Sequence, residues 1–437
     1  RPTIIFMGYG ELDRKFGRAE PDYLHPDLEP VLKETYGVII YQEQVIQVAQ
    51  EMGGFTAGEA DQFRRAMSHK NSLDAMGRYH QRFIAGARKH GVDESTAEHV
   101  FENLLGFAEF GFPKSHGAAF GLLAYQSTWL KRHYGPEFMC ALFNNQPMGF
   151  YPPHVLTNDA LRHGITVRHP HINLSGTSCT VEDLTEGEDT ISVIRIGLGY
   201  VKGVGGASGK RIEEERRRAG NFHSLFDFTQ RTGVSRYATT SLIRIGAFES
   251  FGLNRRELLW QLGLLGSGFE RARLSEPSEH QLRLPIPTAQ DNIALVDFDS
   301  YQRMSSDYEL LSLSPDSHPM CFLRPLLGEG VTSSRHIQSL SDGEVVDVAG
   351  LVVCRQRPMT AKGIIFLLIE DEFGLMNILV SKELGERMRD TVQMATFIRI
   401  RGILEQRTGE QRTLVAQSLT EVRPTEALKM PSGKSWA

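Results

Sequence analysis

The sequence predicts a multidomain α+β protein: a helical N-terminal part, a helix-hairpin-helix region and a C-terminal β-barrel of the OB type. Three observations support this prediction. Apolar residues recur at helical spacing up to about residue 150, a GVGG turn stands at 203–206, and apolar and polar residues alternate after Val331. At 437 residues the chain is long enough for about two to four domains.

The N-terminal part is predicted to be helical because its apolar residues are three to four positions apart. In VIIYQEQVIQVAQEM, for example, Val45, Val48 and Met52 fall on one helical face. Glycine and proline separate the segments at Gly53-Gly54 and around Gly111 and Pro113. The predicted helices cover 38–52, 57–67, 96–107 and 117–143.

The middle of the chain mixes strand and helix signals after a boundary in NNQPMGFYPPH at 144–154. We predict strands at 165–167 and 191–196, a helix after the glycine turn of 200–218, and a second helix in 239–252 that ends on glycine. Residues 266–320 are polar and rich in Pro and Ser, which indicates a loosely structured linker with short helices.

The C-terminal part is predicted to be a barrel of five short strands with a helix after the third, the order of an OB fold. A tail follows the barrel. The predicted strands cover 344–358, 363–374, 375–384, 397–409 and 413–422, and the helix covers 382–388.

Composition excludes several classes of protein. No apolar run reaches the roughly 18–20 residues of a membrane span, so we expect a cytoplasmic protein. The four cysteines lack zinc spacing and are expected to be reduced, so no zinc is predicted. The net charge of −5 argues weakly against a DNA-coating protein but permits local basic patches. His163, His169 and His171 form either a polar loop or, less favoured, a metal site.

The GVGG turn is predicted to contact DNA. Gly203 and Gly205 permit a tight turn that brings backbone N–H groups to a phosphate, the following helix N-terminus favours an anion, and Lys202 and Lys210 add positive charge. Contacts of this kind read no base sequence. A plain helical hairpin with a glycine turn explains the same letters, and spacing alone leaves both interpretations open.

The barrel carries positive residues that fit a single-strand groove, with rings at Phe366, Phe373 and Phe397 for stacking. The alternative is that most of these rings belong to the core. The residues assigned to DNA binding here are Arg355, Arg357, Lys362, Arg399 and Arg401, with Arg407 as further charge.

Two helical segments carry residues that suit a triphosphate, whose transfer needs charge neutralisation. Arg64, Arg65 and Lys70 stand at the end of one helix, and Lys114 and His116 at the start of another. From the residues alone, a solvated charged face is the favoured interpretation of the first group, and a Ser115 helix cap explains the second and is compatible with a phosphate contact there. In the linker, Gln281, Leu282, Leu284 and Ile286 form a short peptide able to dock in a partner's groove.

Long stretches of the chain resemble the bacterial DNA polymerase III alpha subunit family, the C-family polymerases. LEPVLKETYGVIIYQEQVIQVAQEMGGFTAGEADQFRRAMSHK (28–70) and FGFPKSHGAAFGLLAYQSTWLKRHYGPEFMCALFNNQPMGFY (110–151) resemble that family's fingers domain. LGYVKGVG (198–205), SPDSHPM (314–320) and AGLVVCRQRPMTAKGIIFLLIEDEFG (349–374) resemble its error-prone branch. Thr3 to Gly10 depart from the family pattern, and Ser68 and His69 replace its usual Gly-Lys.

The resemblance implies a remnant of the palm and thumb junction at 1–23, fingers at 24–150, a helix-hairpin-helix region at 151–265, a linker at 266–330, an OB fold at 331–425 and a tail at 426–437. It places Arg64, Arg65, Lys70, Lys114 and His116 toward the incoming nucleotide, and the 281–286 peptide where replicative members carry a sliding-clamp peptide. It also implies that the palm aspartates, which hold Mg²⁺, lie outside this sequence.

The expected function is therefore error-prone, damage-induced DNA synthesis on a primer-template with dNTPs and Mg²⁺, with the sliding clamp and other damage-response proteins as partners. By family the chain is a nucleotidyltransferase, although we expect this portion alone to be inactive. The alternative is a non-catalytic DNA-binding or clamp-adaptor protein. An intact palm encoded upstream would favour the polymerase.

Overall fold

A computed structural model describes residues 13–67, 73–107, 113–149, 151–186, 189–265, 293–358, 361, 363–406, 412–424 and 434–436. The chain divides into two compact units, Arg1–Trp129 and Leu130–Ala437, with the division inside one helix. In these ranges no helix has both the length and the apolar character that crossing a membrane requires.

The first unit is helical throughout its described part. A 3₁₀ turn at Pro26–Leu28 precedes the helices, and a second one at Lys33–Thr35 follows the first of them. The helices are α1 (Glu29–Leu32), α2 (Gln42–Glu51), α3 (Ala57–Met67), α4 (Leu73–Lys89), α5 (Glu94–Phe107) and α6 (Lys114–His133), which continues past the division.

The core of this unit is built from rings that the helical spacing places on inward faces. Phe63, Phe83 and Phe101 are fully or almost fully buried, and the rings of Phe63 and Phe101 stack with centroids 5.7 Å apart. Aromatic pairs of this kind add to the free energy gained from burial. The core therefore holds α3, α4 and α5 together and fixes the positions of the residues on their outer surfaces.

The second unit begins with a mainly helical region around a small sheet whose strand order is β1-β3-β2. Its 3₁₀ turns lie at Leu198–Tyr200 and Glu249–Phe251. Its elements are α7 (Gly135–Asn144), α8 (Pro153–Arg162), β1 (Val167–Arg168), β2 (Thr180–Glu186), β3 (Asp189–Arg195), α9 (Gly205–Ala219), α10 (Leu225–Thr232), α11 (Arg236–Arg244), α12 (Arg255–Leu264), α13 (Ser300–Leu311) and α14 (Pro319–Leu323).

A closed five-stranded barrel follows, which confirms the predicted OB fold. The strands pair in the closed order β5-β6-β7-β9-β8, and β8 returns to β5. The pairings are antiparallel except for β7 with β9. The barrel strands are β5 (Val345–Gln356), β6 (Ile365–Glu370), β7 (Leu375–Val380), β8 (Phe397–Gln406) and β9 (Arg412–Val422).

Shorter elements border the barrel. The strands β4 (Val331–Thr332) and β10 (Lys434–Trp436) each pair in parallel with β5. A 3₁₀ turn at Arg324–Leu327 leads into this part, and the helices α15 (Ser334–Ile337), α16 (Lys382–Arg387) and α17 (Arg389–Met394) complete it. The predicted helix at 382–388 corresponds to α16, between the third and fourth barrel strands.

Several predicted elements need correction. The helix predicted at 117–143 is two helices, because α6 ends at His133 and Gly135-Pro136 starts α7. Helix α4 was not predicted. Within the predicted loose linker, α13 is a packed 12-residue helix whose Leu310 and Leu311 join the core of the second unit. The proposed domain boundaries stay predictions.

Candidate nucleic-acid interface

The GVGG segment before α9 forms the tight turn that its sequence predicts. Val201 and Val204 are buried and anchor the turn, while Gly203 and Gly205 have φ of +90° and +62°. The Lys202 N–H donates to the Leu310 carbonyl at 2.8 Å, which fixes the turn against α13. Lys202 and Lys210 are exposed. The Val204 and Gly205 N–H groups donate to the Val201 carbonyl at 3.0 and 3.4 Å, so these bonds stabilise the turn itself, and the two lysines are exposed beside the start of α9.

The N-terminus of α9 has the properties of an anion-binding helix end. Its first turn, GGAS, has no acidic residue, and among the described residues no side chain accepts a hydrogen bond at the Val204 cap position. By contrast, Ser224, Ser235 and Asn254 cap α10, α11 and α12 with their side chains. The Gly205 N–H donates to the Val201 carbonyl at 3.4 Å, so the amides that follow it and the positive dipole end are what α9 offers to an external anion such as phosphate.

The prediction that Arg355 binds DNA is wrong. Arg355 is buried, and its guanidinium donates to two backbone carbonyls, that of Val392 at 2.7 Å and that of Ala395. Burial lowers the pKa of Arg355 from its ordinary value. Its side chain ties β5 to α17, so it has a structural role.

The other barrel residues differ in how far a nucleic acid can reach them. Arg399 donates to Asp347 at 3.1 Å and to the Leu327 carbonyl, so part of its charge is already used. Arg401 is exposed and lies 3.6 Å from the same Asp347 carboxylate. Arg357 is exposed beyond the end of β5. Lys362 and Arg407 lie outside the described residues, so their assignment stays a prediction.

Part of the outer barrel face is occupied by α8, a contact that the sequence did not indicate. Val155 of α8 packs with Val353, Cys354 and Leu368 of β5 and β6. Beside this apolar contact, Glu370 is fully buried and accepts from Arg162 at 2.8 Å and from Asn158 at 3.0 Å. This stretch of β5 and β6 is therefore used for packing against α8 and does not line an open groove.

Two of the predicted nucleotide-binding residues, Arg64 and Lys114, contact the N-terminal end of α2. Arg64 donates to Gln42 at 3.1 Å and to Asp61 at 2.8 Å. Arg65 binds the same Asp61 at 2.9 Å. The Arg65 side chain is 71% exposed and that of Arg64 only 24%, so of the two, Arg65 is more accessible to a ligand.

Lys114 reaches the same end of α2 from α6. Its backbone N–H donates to both Glu43 carboxylate oxygens, at 3.1 and 3.0 Å, and its ammonium group pairs with Glu34. The Glu34 hydrogen bond raises the pKa of Lys114 above its ordinary value. Burial by itself raises the pKa of Glu43, but the Lys114 and Ser115 N–H groups outweigh it and lower that pKa. Glu43 therefore caps α6, and the interpretation of Ser115 as the cap is wrong.

Other predicted residues are placed separately or lie outside the described residues. His116 is exposed and packs on Phe120, with ring centroids 4.4 Å apart. Lys70 and the 281–286 peptide lie outside the described residues. The three histidines do not converge on one point: His163 contacts the Asp159 carbonyl, His169 contacts Asp307, and His171 accepts from Asn173. The four cysteines are free thiols.

Comparison with known protein families finds two matches within this chain. Residues 10–91 match the bacterial DNA polymerase III alpha subunit finger domain, and residues 164–258 match a helix-hairpin-helix motif. Over these residues the chain is similar to the family of the bacterial DNA polymerase III alpha subunit. Arg64, Arg65 and Glu43 lie within the residues that match the finger domain. The glycine turn lies within the residues that match the helix-hairpin-helix motif.

Curated relatives extend the similarity along most of the chain. The error-prone DNA polymerases of Anaeromyxobacter sp. (strain K) and Mycolicibacterium paratuberculosis are both 39% identical, over 91% and 92% of this chain. That of Burkholderia pseudomallei is 38% identical over 93%. The aligned region makes up 35% to 37% of these relatives, so the chain spans about a third of their length.

Among solved structures, the asparaginyl-tRNA synthetase from Pyrococcus horikoshii complexed with asparaginyl-adenylate overlaps 22% of this chain and 23% of that chain. The overlap is 19% identical with a TM-score of 0.20, which is too low to establish a common fold.

The Mg²⁺ implied by the family does not fit the residues that the structure describes. Within the described ranges, no three His, Cys, Asp or Glu side chains are grouped so that they could hold a metal ion. The carboxylates nearest the cationic cluster of the finger domain, Asp61, Glu34 and Glu43, are each engaged with Arg or Lys or with backbone N–H groups.

Proposed function

We propose that this chain is the finger, helix-hairpin-helix and OB portion of an error-prone DNA polymerase that works in damage-induced translesion synthesis. The finger-domain match over residues 10–91 carries the proposal. The relatives that align over 91% or more of this chain are named error-prone DNA polymerases, which supports the error-prone branch. Primer-template DNA and dNTPs are the substrates, and Mg²⁺ is held by palm carboxylates outside these residues.

In this role the finger domain neutralises the triphosphate of the incoming nucleotide. Arg65 is exposed, and Lys114 and Arg64 converge on Glu43 and Gln42, adjacent residues of α2. An incoming triphosphate competes with Glu34 and Asp61 for these cations. The bonds that it displaces are charge-assisted as well, so the exchange favours the nucleotide through the larger negative charge of a triphosphate, which attracts the three cations more strongly than two single carboxylates do.

The helix-hairpin-helix motif holds the duplex without reading its bases. The Gly203–Gly205 turn places the N-terminus of α9, whose amides after Gly205 can bind a phosphate, and Lys202 and Lys210 add charge. Exposed Arg357 and Arg401 of the barrel remain candidates for single-strand contacts. Such backbone binding must weaken steeply with added salt because each phosphate contact releases counterions.

The rival function is a DNA-binding or clamp-adaptor protein without polymerase activity. It uses the same turn and barrel but needs no contact between the finger domain and a nucleotide. The 281–286 peptide would then be the clamp-binding element, as it would also be in the polymerase. For the residues of this chain, the two functions differ in the role of the finger region. The polymerase requires Arg65 and Lys114 to bind a dNTP, and the adaptor does not.

Joining the 437 residues to the part of the Anaeromyxobacter relative that precedes the aligned region tests the proposal. We expect the joined protein to add nucleotides to a primer with Mg²⁺, to misincorporate readily and to extend past a damaged template base. The chain by itself should bind DNA and not extend the primer. A joined protein that folds and binds DNA, yet incorporates nothing, would favour the adaptor.

A further inference from the structure

An exposed tyrosine lies directly against the DNA-binding turn. Tyr237 is the second residue of α11, and its side chain is 59% exposed, whereas its neighbours Ala238 and Thr239 are buried. Ser235 caps this helix by accepting from the Ala238 N–H at 3.2 Å, so the start of α11 is well defined. The Tyr237 ring is therefore held on the surface by a firmly seated backbone.

The ring covers one side of Gly203. A Cβ placed on Gly203 would lie 2.4 Å from Cε1 and 2.6 Å from Cδ1 of Tyr237, far closer than real side chains approach one another. Glycine is thus needed at this position to make room for the ring as well as for φ of +90°. The turn is clasped between the Tyr237 ring on one side and the Leu310 carbonyl, which binds the Lys202 N–H, on another.

The surroundings of the ring match the chemistry of a DNA backbone. Lys202 is exposed next to Gly203, and Arg236 is exposed next to Tyr237. The amides at the start of α9 follow the turn directly. Because the ring already packs on Gly203, it loses little conformational freedom when DNA binds.

We propose that Tyr237 is a positioning residue of the hairpin: its ring holds the 201–205 turn in the conformation that places Lys202 and the amides at the start of α9 against a phosphate of duplex DNA. This inference rests on the proposed function, because the hairpin must bind DNA for the ring to affect binding. The packing surface of the ring carries the effect, and the hydroxyl group is dispensable.

The test compares Tyr237→Ala, Tyr237→Phe and a matched control, Tyr151→Ala, in the full chain. Tyr151 is also a surface tyrosine of the second unit, 53% exposed. Duplex affinity is measured by fluorescence anisotropy at several salt concentrations, and the melting temperature of each variant is recorded. The slope of affinity against salt reports how many phosphates the basic side chains of the hairpin neutralise, so it shows whether Lys202 keeps its contact when the ring is removed.

We expect Tyr237→Ala to weaken duplex binding about 5- to 10-fold, the scale of one or two lost backbone contacts, and to flatten the salt slope. Tyr237→Phe should restore wild-type affinity and slope, and Tyr151→Ala should change neither. The melting temperature should stay within about 2 °C of wild type in all three variants, because surface substitutions usually change stability by less than ~0.5 kcal/mol.

If the wild-type chain binds duplex DNA and Tyr237→Ala binds it with the same affinity, this inference is overturned and the proposed function is unaffected. A wild-type chain that does not bind duplex DNA at low salt overturns the proposed function of the hairpin instead. A Tyr237→Phe variant as weak as Tyr237→Ala also contradicts the inference, because the effect would then belong to the hydroxyl group. A large fall in melting temperature for Tyr237→Ala would mark the ring as merely structural.

Discussion

Gly203 is constrained in two independent ways, by its backbone angle and by the space around it. Its φ is +90°, and the Tyr237 ring leaves no room for a Cβ. Gly205 also has a positive φ, of +62°, but nothing among the described residues lies within 4 Å of a Cβ there. The two glycines look equivalent in the sequence and differ in the structure.

Gly203→Val should therefore weaken duplex binding more than single-strand binding, and more than Gly205→Val does. The strain of a non-glycine residue at such a backbone angle costs about 1–3 kcal/mol, and the ring contact adds to it. Anisotropy titrations with duplex and single-stranded oligonucleotides measure the effect. Gly206→Ala serves as control, since Gly206 has neither a positive φ nor a close neighbour among the described residues. Equal losses in all three variants would contradict this account of the turn.

Arg65 and Lys114 are the residues at which nucleotide binding can be separated from DNA binding. In the joined polymerase, Arg65→Ala or Lys114→Ala should raise the apparent KM for the nucleotide or lower kcat by roughly 10- to 150-fold, the value of one charge-assisted contact of about 1.5–3 kcal/mol. DNA affinity should change little, since the hairpin supplies duplex contacts. Steady-state incorporation and a separate DNA titration distinguish the two effects.

Arg88→Ala is the matched control, because Arg88 is an exposed arginine of the same unit that pairs with Glu94 at 2.7 Å. Unaltered incorporation kinetics in the Arg65 and Lys114 variants would show that these residues belong to a solvated surface. Loss of DNA binding instead would assign them to the template–primer duplex.

Among the elements, helix α6 shows how a carboxylate from elsewhere in the unit can define a helix end. Glu43 of α2 accepts from the Lys114 N–H at 3.1 and 3.0 Å, so the negative charge faces the positive end of the α6 dipole. This contact joins two helices far apart in sequence. It also occupies the place at which a phosphate was expected.

Glu43→Gln should destabilise the first unit by less than about 1 kcal/mol, because the amide can keep a hydrogen bond while the charge is lost and the site is largely exposed. The folded-state pKa of Glu43 is lowered, so its contribution is present above the ordinary value of 4.5 and is lost as pH falls through the folded-state pKa. Thermal unfolding at neutral and acid pH measures both effects. Glu51→Gln, at the exposed C-terminal end of α2, should leave stability unchanged; an equal effect there would exclude capping as the cause.

For the molecule as a whole, the contact between α8 and the barrel makes the second unit sensitive to pH. Burial raises the pKa of Glu370 to about 7, although Arg162 and Asn158 act to lower it. The neighbouring groups are His318, whose Nε2 lies 3.9 Å from the Glu370 carboxylate, Asp371, and Tyr308, whose pKa burial raises. Burial lowers the pKa of His154 to about 4 and that of His318 to about 3.

The sign of the Glu370 effect follows from its raised pKa. The folded state holds a proton that the unfolded chain has released, so its contribution is complete below the ordinary pKa of 4.5 and disappears as pH rises through about 7. The two histidines act in the opposite direction, since the unfolded chain takes up protons below 6.5 while the buried rings stay neutral. Their effect is common to both proteins when Glu370→Gln is compared with wild type.

The melting temperature of Glu370→Gln relative to wild type should therefore increase as pH rises from about 5 to 8. The full difference in unfolding free energy is on the order of 3 kcal/mol, from about 1.36 kcal/mol per pKa unit. Calorimetry at matched salt measures the trend. Glu372→Gln tests specificity because Glu372 belongs to a different ion pair, with Arg324. A difference between Glu370→Gln and wild type that does not change with pH would mean that Glu370 stays charged in the folded state.

Local patterns in the sequence were enough to predict the OB barrel and the hairpin turn. Alternation of apolar and polar residues gave the five barrel strands, and each predicted strand overlaps an observed one, from Val345–Gln356 to Arg412–Val422. Glycine spacing predicted the turn before α9, whose positive φ angles are a property of the glycines themselves. Such features depend on neighbours along the chain, so they can be read from the letters.

Only the tertiary structure decided which charged residues face water. Arg355 is buried against two carbonyls, Glu370 is covered by α8, and Glu43 caps a helix 71 residues away. Charged side chains are nearly always exposed, so the sequence alone predicts a surface position for each of these residues. The positions of these side chains depend on partners from distant segments that satisfy their hydrogen bonds. The packing of Tyr237 on Gly203 also joins distant segments. Contacts of this kind leave no periodic signal in the sequence, so only the tertiary structure shows them.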